Sequence, residues 1–225
     1  MFNRFLRAAF NAASALLTRR VLIGLENIPP TGPHILVVNH LSFFDLPFVF
    51  GVLGGEHVTG WAAEKYQRHP LFGPLLKLAG GIFIERGQVD RDAIARAVDW
   101  LQSGKVFGMA PEGTRSKTGV LSRGKTGAAY LAHEARVPLI PVGIFGTEHA
   151  WACWLRLRRP VLTMRTGKPF RLPPLDPAHR QSRLRADTDE IMCRIAALLP
   201  AKYHGHYADH PRLQELLAES FPPAT

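Results

Sequence analysis

The sequence predicts an α/β fold: a single layered domain with a largely parallel, mixed sheet flanked by helices, an N-terminal amphipathic helix and C-terminal helices. Three observations predict it. Short apolar, partly β-branched runs recur along the chain, bounded by Gly, Pro or polar clusters. Helical patterns lie between them, the alternation that builds a sheet with helices packed on it. And 225 residues, 46% of them apolar, suffice for one full core.

The first element is helical. In residues 1–20, Phe2, Phe5, Leu6, Ala9, Phe10, Ala13, Leu16 and Leu17 take the i, i+3, i+4, i+7 spacing of one helix face, with Arg4, Arg7, Asn11, Ser14 and Thr18 opposite. This describes either a first helix packed on its own core or a helix lying in a membrane interface. Strands are expected at Ile35–Val38, His57–Ala62, Ile82–Glu85, Lys105–Ala110, Pro138–Phe145 and Val161–Thr166. Helices are expected at about Asp45–Leu53, Pro70–Ala79, from an N-cap at Asp90 to Gly104, and at Ser122–Ala135, Gln181–Leu199 and Arg212–Ser220. The Pro-rich stretch 169–177 reads as a connector to the last helices. No internal repeat is visible.

Lys and Arg outnumber the acids 28 to 18, a net of +10. The excess is concentrated: between Trp151 and Arg185 nine basic residues stand against Asp176 alone. Such a field attracts phosphate-bearing partners, whether nucleic acid, anionic lipid or a phosphorylated small molecule, or it is a solvated face. The two cysteines, Cys153 and Cys193, are too far apart in sequence to suggest a disulfide framework or a zinc site. No run of eighteen apolar residues is present to cross a bilayer, and the first residues lack the pattern of a secretion signal.

Chemistry-bearing residues gather where strands end, and in α/β sheets ligands collect beyond the carboxyl ends of strands. The stretch "NHLSFFD", 39–45, comes directly after the apolar run "ILVV". In a straight helix His40 and Asp45 would lie about 140° apart and could not touch. They meet if 41–44 form a turn into the helix announced by Leu46 and Pro47. A carboxylate on one imidazole nitrogen fixes the tautomer and leaves the other free to accept a proton. A histidine satisfied at a strand end, with Asp45 capping its helix, is the other reading. No nucleophile elbow is present, so the attacking hydroxyl is expected on the substrate.

Three more signatures stand further along the chain. "GGIFIERG", 80–87, places Arg86 just past a short strand, to pair with a carboxylate or grip a phosphate. "APEGTRS", 110–116, is a tight loop presenting Thr114, Arg115 and Ser116, suited to an oxyanion, with Glu112 expected to orient Arg115 or a hydroxyl. "VPLIPVGIF", 137–145, is a core strand or the wall of an apolar channel. Rival readings exist. "GVLSRGKT", 119–126, has the spacing of a phosphate-cradling nucleotide loop, but the strand expected to run into it ends earlier. A non-enzymatic anion-binding protein would use the 151–185 stretch and leave His40 idle, and thioester hydrolysis would leave Arg86 and Arg115 without a purpose. The histidines of "HGHYADH", 204–210, read as a solvated turn rather than a metal site.

In this order the four stretches resemble the motif blocks of the glycerolipid acyltransferase family, especially its bacterial 1-acylglycerol-3-phosphate acyltransferases. Asn39-His40-x-Ser42-x-x-Asp45 matches the first block, Gly81-Ile82-Phe83-Ile84-x-Arg86 the second, Pro111 to Ser116 the third, and Val137-Pro138-x-x-Pro141-Val142 the fourth. The third departs from the family in carrying Ala110 where Phe usually stands. The resemblance implies that His40 and Asp45 are the base and its partner. It implies that Arg86 and the loop Glu112, Gly113, Thr114, Arg115 bind the acceptor's phosphate, with Lys65 as a further basic residue. It implies acyl transfer from acyl-CoA or acyl-carrier protein, as co-substrate, to a lysophospholipid. The foremost acceptor is 1-acyl-glycerol-3-phosphate; another lyso-lipid or a polyol is the alternative. No metal, cofactor or nucleic acid is implied. The expected organisation is a membrane-interfacial helix over 1–20, a catalytic domain over 21–200 and a helical tail over 201–225, held peripherally or monotopically at the cytoplasmic face of the membrane.

Overall fold

The computed structural model describes residues 2–53, 58–64, 67–68, 70, 73, 81–84 and 90–220. Among these, seven strands form one sheet: β1 (Arg19–Ile23), β2 (His34–Val38), β3 (Val58–Ala63), β4 (Ile82–Ile84), β5 (Val106–Met109), β6 (Leu139–Phe145) and β7 (Val161–Thr166), in the order β1-β7-β6-β2-β5-β3-β4. Every pairing is parallel except β6 with β7, which is antiparallel. The described helices are α1 (Phe2–Leu17), α2 (Asp45–Leu53), α3 (Arg91–Gln102), α4 (Gly127–Ala135), α5 (Ala150–Leu155), α6 (Arg180–Ala196) and α7 (Pro211–Ser220). The helix expected over Pro70–Ala79 falls almost wholly outside the described residues.

Successive side chains of a strand point to opposite faces, and β2 shows what that does here. Ile35 and Val37 join a core with α3, α4, α6 and α7, through Ala97, Leu101, Leu131, Ile191 and Leu213. Leu36 and Val38 join a second core on the other face with Phe48 of α2 and with Ile140, Val142, Ile144, Leu162 and Met164. The sheet is therefore covered on both sides, the condition under which central parallel strands are stable. Tyr203, Tyr207, Leu213 and Leu216, from the stretch expected as a tail, are buried in the first core.

Two elements were not expected from the sequence. β1 is an edge strand, mostly exposed, and begins with two arginines, so it carries no burial pattern to read. α5 is only six residues long. A third departs in its start: α4 begins at Gly127 instead of Ser122. The backbone before it is laced into the molecule: Leu121 N donates to Tyr203 O (2.9 Å), Ser122 N to Glu112 Oε2 (3.0 Å), Gly124 N to the Tyr207 hydroxyl (3.0 Å) and Lys125 N to Pro111 O (2.8 Å). α3 starts where expected, with Asp90 accepting from Ala93 N at 2.8 Å.

The registers align the carboxyl ends of the central strands. Val37 pairs with Met109 of β5, and Val38 with Val142 of β6. The segments leaving these strands therefore emerge at one edge of the sheet: Asn39 and His40 after β2, the 110–116 loop after β5, and Gly146 and Thr147 after β6.

Candidate active site

β2 ends its ladder at Val38, and Asn39 continues it with a side chain. Its Nδ2 donates to Ile144 O and its Oδ1 accepts from Ile144 N, both at 2.7 Å, as a strand partner would. The buried Asn39 thus fixes where the chain leaves the sheet. A polar group so deeply buried is costly unless fully bonded, and here both ends are.

His40 comes next, and residues 41–44 do turn back. Asp45, 1% exposed, is the first residue of α2. Its Oδ2 lies 2.9 Å from His40 Nδ1 and also accepts from Leu41 N and Ser42 N, each at 2.7 Å. Capping and imidazole binding, which compete in the sequence, are served by one oxygen because the N–H groups it caps belong to the turn and not to its own helix. The other oxygen, Oδ1, accepts from Thr147 Oγ1, and Thr147 O accepts from Ser42 Oγ at 3.2 Å. Asp45 is fully bonded and cannot rotate away; His40 is oriented by it, and among the described residues its Nε2 has no partner. That nitrogen is the one able to take and return a proton.

Thr147 is the residue of this candidate site that the sequence did not reveal. Gly146 precedes it at φ 91, where a Cβ would stand 2.1 Å from Val161 O, so only glycine makes this turn. Glu148 comes after it and braces it, accepting from Gly146 N at 2.8 Å and from the Tyr203 hydroxyl at 2.5 Å. Burial and the Glu148 carboxylate together hold the Tyr203 phenol above its ordinary pKa, so it stays a donor. The available signal was position alone: a Gly-Thr-Glu sequence directly after a buried strand, at the edge where ligands collect.

The 110–116 loop is tied to the backbone of His40. Gly113, at φ 68, makes the turn, with Gly113 N donating to Ala110 O at 2.9 Å. Glu112 was expected to orient Arg115 or a sugar-like hydroxyl. Instead it is 2% exposed and both oxygens are taken within the protein, Oε1 by His40 N at 2.9 Å and Oε2 by Ser122 N and Oγ. It ties the loop to the histidine's own backbone. A second tie, Ser116 N to His40 O at 2.8 Å, does the same from the far side of the loop. Between these ties Thr114 and Arg115 are exposed, and among the described residues Arg115 has no carboxylate partner. A cation with no carboxylate partner among the described residues, held one residue from a bond to His40, is available to an anionic ligand. The Lys125 side chain lies along Gly113. Lys65 and Arg86 lie outside the described residues; β4 ends at Ile84, just before Arg86.

The nucleotide-loop spacing at 119–126 is not matched by available donors, because the N–H groups of 121, 122, 124 and 125 are the ones laced to other parts of the chain. Much of the 151–185 basic stretch is likewise structural. Arg159 donates to Ala15 O and Thr18 O, Arg165 to Leu198 O and Arg171 to Arg136 O, while Arg183 and Arg185 pair with Asp187 and Asp189. In the 204–210 stretch, His204 bonds Leu199 O and His210 Nδ1 accepts from Arg212 N.

Known proteins resemble this chain in fold and in sequence. The crystal structure of the 1-acyl-sn-glycerophosphate acyltransferase PlsC from Thermotoga maritima has the same fold, with a TM-score of 0.63 at 24% identity over 84% of this chain and 79% of that one. A 1-acyl-sn-glycerol-3-phosphate acyltransferase of Cocos nucifera is 32% identical over 143 residues, 61% of this chain and 46% of that protein. One from Borreliella burgdorferi is 28% identical over 131 residues, 57% of this chain and 52% of that protein. The chain thus spans about half the length of these curated relatives. The model of the Acyltransferase family matches residues 19–145, from β1 through the end of β6, and so contains every strand end that builds the site. By that match, over more than half its length, the chain belongs to the acyltransferase family.

Proposed function

We propose that the protein transfers a fatty acyl group from an acyl thioester, acyl-CoA or acyl-carrier protein, to the free hydroxyl of 1-acyl-glycerol-3-phosphate, giving phosphatidic acid, with His40 as general base. The observation that carries this reading is the His40 Nδ1 to Asp45 Oδ2 contact of 2.9 Å beside a loop whose Arg115 is exposed. The names of the relatives in Cocos nucifera and Borreliella burgdorferi support the choice of acceptor.

In this mechanism His40 Nε2 takes the proton of the acceptor hydroxyl as its oxygen attacks the thioester carbonyl carbon. Asp45 stabilises the imidazolium that forms. The tetrahedral intermediate collapses by breaking the carbon–sulfur bond, and the thiolate leaves with the proton returned by His40. Arg115 holds the acceptor's phosphate and thereby keeps the hydroxyl near the base. Positioning of this kind lowers barriers by ~7 kcal/mol or more in well-oriented cases. No step uses a metal or a resident cofactor. The protein works at the membrane surface, on the cytoplasmic face, where the acyl chain of the lyso-lipid acceptor resides.

The test incubates purified protein with acyl thioesters and a panel of lyso-lipids, tracking thiol release and product mass. His40→Ala is expected to lower turnover by about 10² to 10⁴-fold without loss of liposome binding. Arg115→Ala is expected to raise KM for the phosphorylated acceptor selectively. Unchanged turnover in the His40 variant refutes the mechanism, and release of free fatty acid in place of an acylated lipid reassigns the protein to thioester hydrolysis.

A further inference from the structure

The amphipathic character of α1 is visible in the sequence, but the structure exposes a second apolar surface beside it. α5 and the turn after it present Trp151 at 64%, Leu155 at 72% and Leu157 at 97% exposure. At the end of α1, Leu16 is 74% exposed, and in the catalytic turn Phe43 is 40% exposed. Scattered exposed leucines are ordinary, but a joined cluster of this kind marks an interaction surface.

The cluster is joined. Trp154, on α5, donates from Nε1 to Leu17 O at 3.0 Å, and Arg159 donates to Ala15 O and Thr18 O, so the end of α1 is fastened to α5 and its exit turn. The Trp154 ring also meets Phe44 edge to face, 4.9 Å between centroids, and Phe44 immediately precedes Asp45. α5 is therefore packed on the turn that carries His40 and Asp45.

Leu157 has φ 53, the left-handed region that branched side chains enter only at a cost. That conformation closes α5, with Leu157 N donating to Trp154 O and Arg158 N to Cys153 O, both at 2.9 Å, and it leaves the Leu157 side chain almost wholly in solvent. Arg156 and Arg158 flank it, both exposed, and among the described residues neither meets a carboxylate, although other arginines of the stretch do. Tryptophan and leucine interleaved with unpaired arginines is the composition of a segment seated at the headgroup boundary of an anionic bilayer.

We infer that α5 and its exit turn, residues 150–158, are a second bilayer contact that acts with α1 and sets the His40 cleft against an anionic lipid surface. This inference rests on the interfacial part of the proposed function but not on the chemistry. Leu155 and Leu157 enter the acyl boundary, Trp151 sits at the headgroups, and Arg156 and Arg158 engage lipid phosphates. A lyso-lipid held in the bilayer then reaches the cleft past Phe43 without leaving the membrane.

The full chain is mixed with phosphatidylcholine vesicles with and without phosphatidylglycerol, and binding is read by co-sedimentation and by quenching of tryptophan fluorescence with brominated acyl chains. Leu155→Ser/Leu157→Ser is expected to weaken vesicle binding about tenfold or more, as lost acyl-boundary contacts do, with an unchanged circular dichroism spectrum. Trp151→Phe is expected to remove a large share of the bromolipid quenching. Arg156→Gln/Arg158→Gln is expected to remove the preference for phosphatidylglycerol while leaving binding to neutral vesicles. Vesicle binding unchanged in the double-serine variant overturns the inference. So does sedimentation analysis showing that the lipid-free chain is a dimer which this variant converts to a monomer, since the face would then belong to a second copy. Because every readout is binding, a failure of the acyl-transfer reading leaves this result intact and distinguishable.

Discussion

Two of the histidine–aspartate pairs among the described residues are largely buried, unlike the exposed His179–Asp176 pair, and by contact alone these two are hard to tell apart. His40 Nδ1 is 2.9 Å from Asp45 Oδ2 with side-chain exposures of 15% and 2%; His133 Nε2 is 2.7 Å from Asp187 Oδ2 with 10% and 4%. Their surroundings differ. Asp187, on α6, also meets Arg183 Nε at 3.1 Å, one helical turn earlier, so its charge is already shared with a guanidinium. The pair fastens α4 to α6 across a helix–helix contact. Asp45 meets no Lys or Arg among the described residues; its other partners are two backbone N–H groups and the Thr147 hydroxyl. Under the proposed mechanism its carboxylate is left to stabilise an imidazolium, and its histidine stands where three strand ends converge. A His–Asp contact is thus no mark of catalysis by itself. What its carboxylate is otherwise bonded to, and where the sheet puts it, decide.

The largest effect that can break this comparison comes from making the same substitution in both pairs. Asp45→Asn is expected to lower kcat by about 10² to 10⁴-fold, the range for a general base that loses its function, with a melting temperature near that of the parent. Asp187→Asn is expected to leave kcat within twofold or so and to cost on the order of 1 to 2 kcal/mol of stability, discounted because Arg183 is partly solvated. Steady-state kinetics and thermal unfolding on both variants measure the two readouts side by side. If the Asp187 variant loses turnover as severely, the distinction drawn from surroundings does not hold.

A smaller effect sharpens it. Thr147→Val keeps the shape of a fully buried residue and removes the hydroxyl that holds Asp45 Oδ1. Leaving that oxygen without its donor costs about 1 to 3 kcal/mol, and because the pair loses orientation, kcat is expected to fall by roughly tenfold with KM little changed. Thr147→Ser should recover most of the loss. Wild-type kcat in the valine variant would mean that the turn N–H groups alone hold the carboxylate.

These contrasts also show what a reader of the sequence can and cannot see. β2 through β7 lie within about two residues of where the sequence places them, because strands buried on one or both faces announce themselves as apolar runs. His40 with Asp45, and the loop around Arg115, were legible because each depends on residues close in sequence. Thr147 was not, since its bond to Asp45 spans 102 positions and nothing in "GTEH" favours that partner over solvent. Glu112 stands out for its charge, but its partners were misjudged: a carboxylate in a loop reads as reaching outward, whereas this one binds backbone 72 positions away. β1 left no trace because an exposed edge strand needs no apolar pattern. The sequence resolves what local chemistry and periodicity dictate, and misses polar bonds that only the sheet's topology creates.

The smallest effect concerns a third histidine, at the opposite end of the strand that leads into His40. His34 opens β2, is 1% exposed, and shares the sheet face of Leu36 and Val38; among the described residues neither ring nitrogen makes a well-formed hydrogen bond. Burial lowers its pKa below the ordinary histidine value, against a weaker opposing contribution from the backbone of Gly32. The folded state therefore keeps His34 neutral at a pH where the unfolded chain takes up a proton. Stability is then undiminished above the unfolded value of about 6.5 and is lost as pH falls from there through the lowered folded value. His34→Leu removes that titration and places a methyl-bearing side chain in an apolar site. Urea midpoints measured from about pH 8 down to about pH 5 should therefore fall less steeply in the variant than in the parent, the two curves separating only below ~6.5. Curves that stay parallel over that range would show that His34 is solvated enough to be protonated in the folded state. The two ends of β2 would then not differ as described, one burying an imidazole kept neutral and the other leading into an imidazole placed to take and return a proton.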